Sequence, residues 1–173
     1  MKNRGFTLIE LLVVIAVIGI LASVVMASLN SARVKARNAR RSSDIKQLYN
    51  AFQLGLDTTG ALPNNGAAWS CVSATCYEGW SGNTAHATVD AYLAPYLPSK
   101  PSDPVGGSRG HGGYLYNVAW PGSVAYDGYT FPAGSYIYWL PEAPLGPNSC
   151  APGRLLAVAS GGNYAACMLQ LDR

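Results

Sequence analysis

From Phe6 to Leu29 the chain is apolar at nearly every position and carries a single formal charge, Glu10. As a helix, this stretch would be roughly 36 Å long, enough to cross a hydrocarbon core of about 30 Å. The pattern therefore predicts a membrane-spanning segment. Helical spacing continues without proline as far as Leu54, so Phe6 to Leu54 reads as one helix of roughly 74 Å. Its second half changes character. Ile45, Leu48, Tyr49, Phe52 and Leu56 fall at i, i+3, i+4, i+7 and i+11, the stripe that a helix lays on a core. Traced upstream, the same stripe becomes Arg41, Asn38 and Val34, so a folded domain is expected to grip the helix mainly from about Asp44 onward. The turn formers and proline of Asp57-Thr58-Thr59-Gly60-Ala61-Leu62-Pro63 predict a stop near Gly55 to Gly60.

The period changes again further along. Asn64 to Gly113 is loop-rich, with a short helix expected inside Thr84 to Tyr96, where Val89, Tyr92, Leu93 and Tyr96 share one face. From Tyr114 the alternation shortens to two residues. Tyr114–Trp120, Ser135–Leu140, Arg154–Ser160 and Tyr164–Leu171 read as strands separated by Gly, Pro and Asn turns. The expected fold class is α+β: a long N-terminal helix, half membrane-spanning and half amphipathic, packed on a C-terminal antiparallel sheet.

The charge is unevenly distributed. Residues 1–55 hold eight Lys and Arg against two acids, and residues 56–173 hold four against seven. The pI near 8.7 arises from that asymmetry and describes no nucleic-acid footprint. Arg33, Lys35, Arg37, Arg40 and Arg41 follow the apolar run, and a count by the positive-inside rule would leave the downstream domain in the cytoplasm. Four cysteines in a tyrosine-rich domain favour an oxidising exterior instead, and long domains translocate largely regardless of flanking charge. Candidate chemistry is sparse. His86 and Asp90 stand four apart, and His111 lies in the glycine-rich stretch Gly106–Gly113, which lacks the Gly-Lys-Ser/Thr ending of a phosphate loop and reads as a connection. No catalytic motif, cofactor motif or metal-ligand spacing is present: neither cysteine pair has the Cys-x-x-Cys form, and only two histidines exist. Trp69, Trp80, Trp120 and Trp139, with ten tyrosines beyond residue 56, fit core and sheet packing first and a surface for glycans, DNA or other cells second.

Glu10 remains to be explained, because a carboxylate inside a membrane segment costs a few kcal/mol without a partner. An ordinary secretory signal ending near Val25-Met26-Ala27 would have a shorter apolar region without an acid. At Gly5-Phe6-Thr7-Leu8-Ile9-Glu10-Leu11-Leu12-Val13-Val14 the chain resembles the processing motif of the type IV pilin and pseudopilin family. Asp44-Ile45-Lys46-Gln47-Leu48 followed by Leu62-Pro63 looks like the end of the first helix in major pseudopilins and in Gram-positive or environmental pilins. Pro101-Ser102-Asp103-Pro104 leading to Tyr114-Leu115-Tyr116 is similar to their entry into the first strand, with Val105 where the family has an aromatic.

The resemblance implies cleavage after Gly5 by a membrane prepilin peptidase and N-methylation of Phe6. Glu10 would pair with the terminal amine of a neighbouring subunit, since a buried carboxylate and ammonium are tolerable together and costly apart. It implies a leader at 1–5, a transmembrane or filament-core helix at 6–29, an amphipathic continuation at 30–55 and an extracellular globular domain at 56–173. The partners implied are copies of the chain in a helical filament, the membrane before assembly, and a platform protein with its ATPase. The basic segment after Leu29 would lie at the headgroup level before assembly, face acidic surfaces of neighbours afterwards, or form a solvated face. Four cysteines allow three pairings, of which the local one is favoured, Cys71 with Cys76 and Cys150 with Cys167. The second pair would resemble the C-terminal disulfide loop of many pilins. Major pseudopilins carry calcium in an acidic C-terminal loop; here Asp127, Glu142 and Asp172 are scattered, and no metal site is expected. A type II secretion pseudopilin and an anchored extracellular binding domain stand as alternatives to a pilus subunit.

Overall fold

A computed structural model describes residues 6–76, 84–105, 112–126, 128–143, 145–146, 148–158 and 165–172. The chain divides into two compact units, Met1–Ala36 and Arg37–Arg173. Helix α1, Leu8–Thr59, begins in the first and ends in the second. From Phe6 to Leu29 its large apolar side chains are exposed, Phe6 at 82 % and Ile20 at 66 %, and the helix is long and apolar enough to cross a membrane.

The helix starts two residues later than the sequence pattern suggested, for a local reason. Thr7 stands outside the first turn and its carbonyl accepts the N–H of Leu11 at 3.3 Å. Its hydroxyl accepts the N–H of Glu10 at 3.3 Å, and the Glu10 carboxylate reaches back to the Thr7 N–H at 2.8 Å. That reciprocal pair is a capping box. At the other end the helix stops at Thr59, inside the expected Gly55 to Gly60 window. Thr58 and Thr59 donate their hydroxyls to the carbonyls of Leu54 and Gly55 at 2.7 and 2.8 Å, which ties these turn formers into the last turn. Gly60, at φ +76°, closes the helix with its N–H on the Leu56 carbonyl, a left-handed cap that glycine adopts without a Cβ penalty.

The second unit is built on a five-stranded sheet. Its strands are β1 (Ser70–Cys71), β2 (Leu115–Trp120), β5 (Gly134–Trp139), β6 (Arg154–Val158) and β7 (Ala165–Gln170), ordered β1-β2-β5-β7-β6 with every pair antiparallel. The long strands lie within a residue or two of the sequence pattern. The turn region around Gly161-Gly162-Asn163, between β6 and β7, lies outside the described residues. The short hairpin of β3 (Val124–Tyr126) and β4 (Tyr129–Phe131) was not legible in that pattern. Helix α2, Ala87–Leu93, falls inside the expected window and buries Val89 and Leu93.

Alternation divides the core in two. Ile137 and Trp139 of β5 join Tyr116 of β2 and Cys167 and Leu169 of β7 against Ile45, Leu48, Ala51 and Phe52 of α1. Residues between them point the other way, so Tyr136 and Met168 meet Phe131 of β4 on the opposite sheet face. Phe52 stacks on Tyr116 with ring centroids 4.6 Å apart. Burying each such ring contributes roughly 1.5–3 kcal/mol, so the α1 stripe accounts for much of the cohesion of this unit.

The α1 stripe does not end where the hydrophobic pattern ends. Asn38 and Arg41 are buried at 7 % and 2 % exposure, ahead of Ile45. The expectation that the domain grips the helix from about Asp44 is therefore corrected to Arg37, and the reason is electrostatic.

Candidate functional site

Two groups of polar residues carry the chemistry. The first is at the start of α1. Phe6 and Glu10 are both exposed, and Glu10 Oε2 accepts both the N–H and the hydroxyl of Thr7 at 2.8 Å. The Thr-x-x-Glu spacing that makes the capping box stands in the sequence. Gly5, the expected cleavage residue, lies outside the described residues.

The second group was not found from sequence. Arg41 donates through Nε and Nη2 to both oxygens of Asp103 at 3.0 and 2.9 Å, and through Nη1 to Glu142 at 2.9 Å and Asn38 Oδ1 at 2.8 Å. Arg37 forks onto the same Glu142 carboxylate at 2.8 and 2.7 Å. Asn38 completes the arrangement with its amide: Nδ2 donates to the Glu142 carbonyl at 2.8 Å, and Oδ1 accepts the Glu142 N–H at 3.0 Å. Two guanidiniums and two carboxylates thus balance, with Arg41, Asp103 and Glu142 buried and Arg37 at the edge of the site. Hydrogen bonds from Arg37 hold the Glu142 carboxyl below its usual range against the opposing effect of burial, with Arg41 adding to the shift. Burial by itself would weaken the charge on Arg41, but the Asp103 and Glu142 contacts outweigh it and the guanidinium is held above its ordinary value. One turn on, Asp44 accepts the Tyr114 hydroxyl at 2.7 Å; burial, then this carboxylate, push the phenol well up. Residues expected at a headgroup layer, on neighbouring subunits or in solvent are in part internal struts. Arg33, Lys35 and Arg40 are the members of that basic run that stay exposed.

The cysteines pair locally. Cys71 bonds to Cys76, which lies five residues on, and Cys150 bonds to Cys167, which ties the segment before β6 to β7 across 17 residues. Asp90 pairs with Lys100, whereas His86 caps α2 without a side-chain hydrogen bond, so the two do not form a unit. His111 and Trp80 lie outside the described residues. Among the described residues no group of three or more His, Cys, Asp or Glu is placed to hold a metal ion. Of the remaining tryptophans, Trp139 is fully buried, Trp69 lies 5.5 Å from Tyr138, and Trp120 meets Phe131 and Tyr136 edge-on.

Comparison with known proteins gives matches confined to part of the chain. Residues 1–26 match the family model of the prokaryotic N-terminal methylation motif. The chain is 47 % identical over 53 residues to type II secretion system core protein G of Escherichia coli (strain K12), which covers 31 % of this chain and 37 % of that protein. It is 40 % identical over 50 residues to type IV major pilin protein PilA of Myxococcus xanthus (strain DK1622), covering 29 % and 23 %. Core protein G of Pectobacterium carotovorum subsp. carotovorum is 42 % identical over 53 residues, 31 % of this chain and 34 % of that one. The matched stretch is thus about a third of the length of these relatives or less. No solved structure gives a significant match.

Proposed function

We propose that this chain, whose N-terminal segment is that of the type IV pilin and pseudopilin family, is a structural subunit of a pilus or pilus-like filament. The observation that carries the reading is the pairing of a fully exposed apolar helix with one carboxylate at its first turn. Such a helix needs a medium that covers it on all sides, either lipid or the same helix of other copies. In this reading residues 1–5 are the leader, removed by a prepilin peptidase after Gly5, and Phe6 becomes the methylated N-terminus. Residues 6–29 anchor the subunit in the membrane and later form the filament core. Residues 30–55 continue the helix, and 56–173 form the domain outside the membrane, where the disulfides persist. Glu10 pairs with the terminal amine of a neighbour. A platform protein and its ATPase draw subunits from the bilayer, and burial of the apolar helix against its neighbours compensates for leaving lipid. The chain performs no catalysis; the chemistry is done to it.

Intact-mass and N-terminal analysis from native cells, with electron microscopy of sheared surface material, tests this. A mature chain starting at methylated Phe6 and present in filaments is the expected result. A chain starting after Ala27, or one that retains Met1 and is never found in filaments, would overturn it. Glu10→Gln keeps a residue able to cap the helix and removes the charge, so membrane insertion should persist while filaments disappear. The 47 % identity to core protein G favours a secretion pseudopilus as the second reading; deletion of the gene would then stop protein secretion and leave surface pili intact.

A further inference from the structure

The sheet face turned away from α1 carries a cleft of about 280 Å³ that the filament reading does not use. Its floor is Phe131, Tyr136 and Met168, and its rim includes Tyr129, Arg154 and Gln170. The β3–β4 hairpin forms one wall, and the segment leading into β6 forms the other. Arg154 is the charged member. Its guanidinium carbon sits 4.3 Å from the centroid of the Tyr129 ring, and Tyr129 is itself set edge-on against Phe131 at 5.0 Å. A long flexible side chain is thus held over a ring at the cleft mouth. The ion pairs found among the described residues belong to Arg37, Arg41 and Lys100, so Arg154 has no carboxylate partner there. Gln170, opposite, uses one amide hydrogen on the Asp172 carbonyl at 3.2 Å, which leaves its amide oxygen and second hydrogen for a ligand.

We infer that this cleft binds a single acidic sugar ring, with the sugar carboxylate on Arg154. A guanidinium presents paired N–H groups that match a carboxylate's two oxygens, which a neutral ligand would leave unused. The cleft is at the small end of ligand pockets, so one six-membered ring fits and a longer segment must extend outside it. Its lining also suits a sugar, whose apolar C–H face can lie against the hairpin aromatics while its hydroxyls reach Gln170 and backbone groups of Pro152 and Gly153. A simple small acid would use Arg154 and leave the rest of the cleft to water.

The test uses the full chain in detergent micelles, with amide NMR shifts followed as sodium glucuronate, sodium galacturonate, glucose or sodium acetate is added. Saturable shifts confined to the cleft lining, residues 129, 131, 136, 153–154 and 168–170, are expected with at least one uronate. Arg154→Gln should weaken that binding at least tenfold, and Arg154→Lys, which keeps the charge and loses the fork, severalfold. Arg154 is exposed, so both variants should keep the parent near-ultraviolet circular dichroism. Gln170→Ala, which leaves the guanidinium in place, should weaken uronate and not acetate. The inference is overturned if neither uronate gives saturable shifts, if the shifts map elsewhere, if glucose or acetate binds as tightly, or if Arg154→Gln binds like the parent.

Discussion

Replacing Arg41 by Met tests whether α1 is fastened to its domain by charge as well as by apolar packing. The Arg41 side chain is 3 % exposed and makes four hydrogen bonds to three partners. Its loss does not fall equally on those partners. Glu142 keeps the fork from Arg37, whereas Asp103, 4 % exposed, keeps among the described residues the Val105 N–H at 3.0 Å. Removing one member of a buried pair typically costs about 3–5 kcal/mol, chiefly because the other charge is stranded. Met fills much of the same volume, so packing loss adds little, and Arg41→Met should lower unfolding stability by about 3–5 kcal/mol. Arg37→Met should cost only about 1 kcal/mol, since Arg37 is 31 % exposed and Glu142 retains Arg41. Adding Asp103→Asn to Arg41→Met removes the stranded charge and still accepts the Val105 N–H, so it should restore stability in part. Urea unfolding of the detergent-purified chain, followed by tryptophan fluorescence, reads all three. If Arg41→Met lies within about 1 kcal/mol of the parent, or if Asp103→Asn lowers stability further, the ion network does not hold the helix.

Acid should loosen the same site. Because the folded-state carboxyl of Glu142 lies below its ordinary value of 4.5, its stabilisation is complete above that value and is lost as pH falls below it; urea midpoints across this range should decline, and less steeply in Glu142→Gln. Opening the Cys150–Cys167 bridge by a double Ser substitution should cost about 3 kcal/mol and opening Cys71–Cys76 about 2 kcal/mol, since the entropy lost grows with the logarithm of the loop closed, as denaturant midpoints would show. Gly55→Ala places a methyl group in the ring of Tyr92, whose hydroxyl donates to the Phe52 carbonyl at 3.0 Å; thermal unfolding should report a loss of about 1–3 kcal/mol.

What the sequence revealed and what it hid follow from distance along the chain. The Ile45-to-Phe52 stripe and the period-two runs of β2, β5, β6 and β7 are local patterns, so they were legible before any contact was known. Arg37, Asn38 and Arg41 interrupt the apolar stripe, and polar residues there read as groups for headgroups, neighbouring subunits or solvent, not for the chain's own core. Their partners stand 62 to 105 positions away, and neither the Pro-Ser-Asp-Pro turn nor the lone Glu142 carries a local sign of its role. The β3–β4 hairpin was missed because three-residue strands are too short for a period to register. Thr7 and Glu10 differ in kind: the capping signature is local and complete in the sequence, but it coincides with a charge in an apolar run that has a second physical explanation.

That cap also sets how many partners Glu10 can serve at once. A carboxylate has two oxygens and about four acceptor directions, and both Thr7 contacts fall on Oε2. Oε1 therefore takes no part in closing the helix. In the proposed filament, a subunit would not need to fray its own first turn to receive a neighbour's ammonium at Oε1, so the two interactions would not compete. On that reading each chain end would offer a fixed, oriented acceptor in place of a charge on a loose tether, and less disorder would have to be removed when one copy docks on the next.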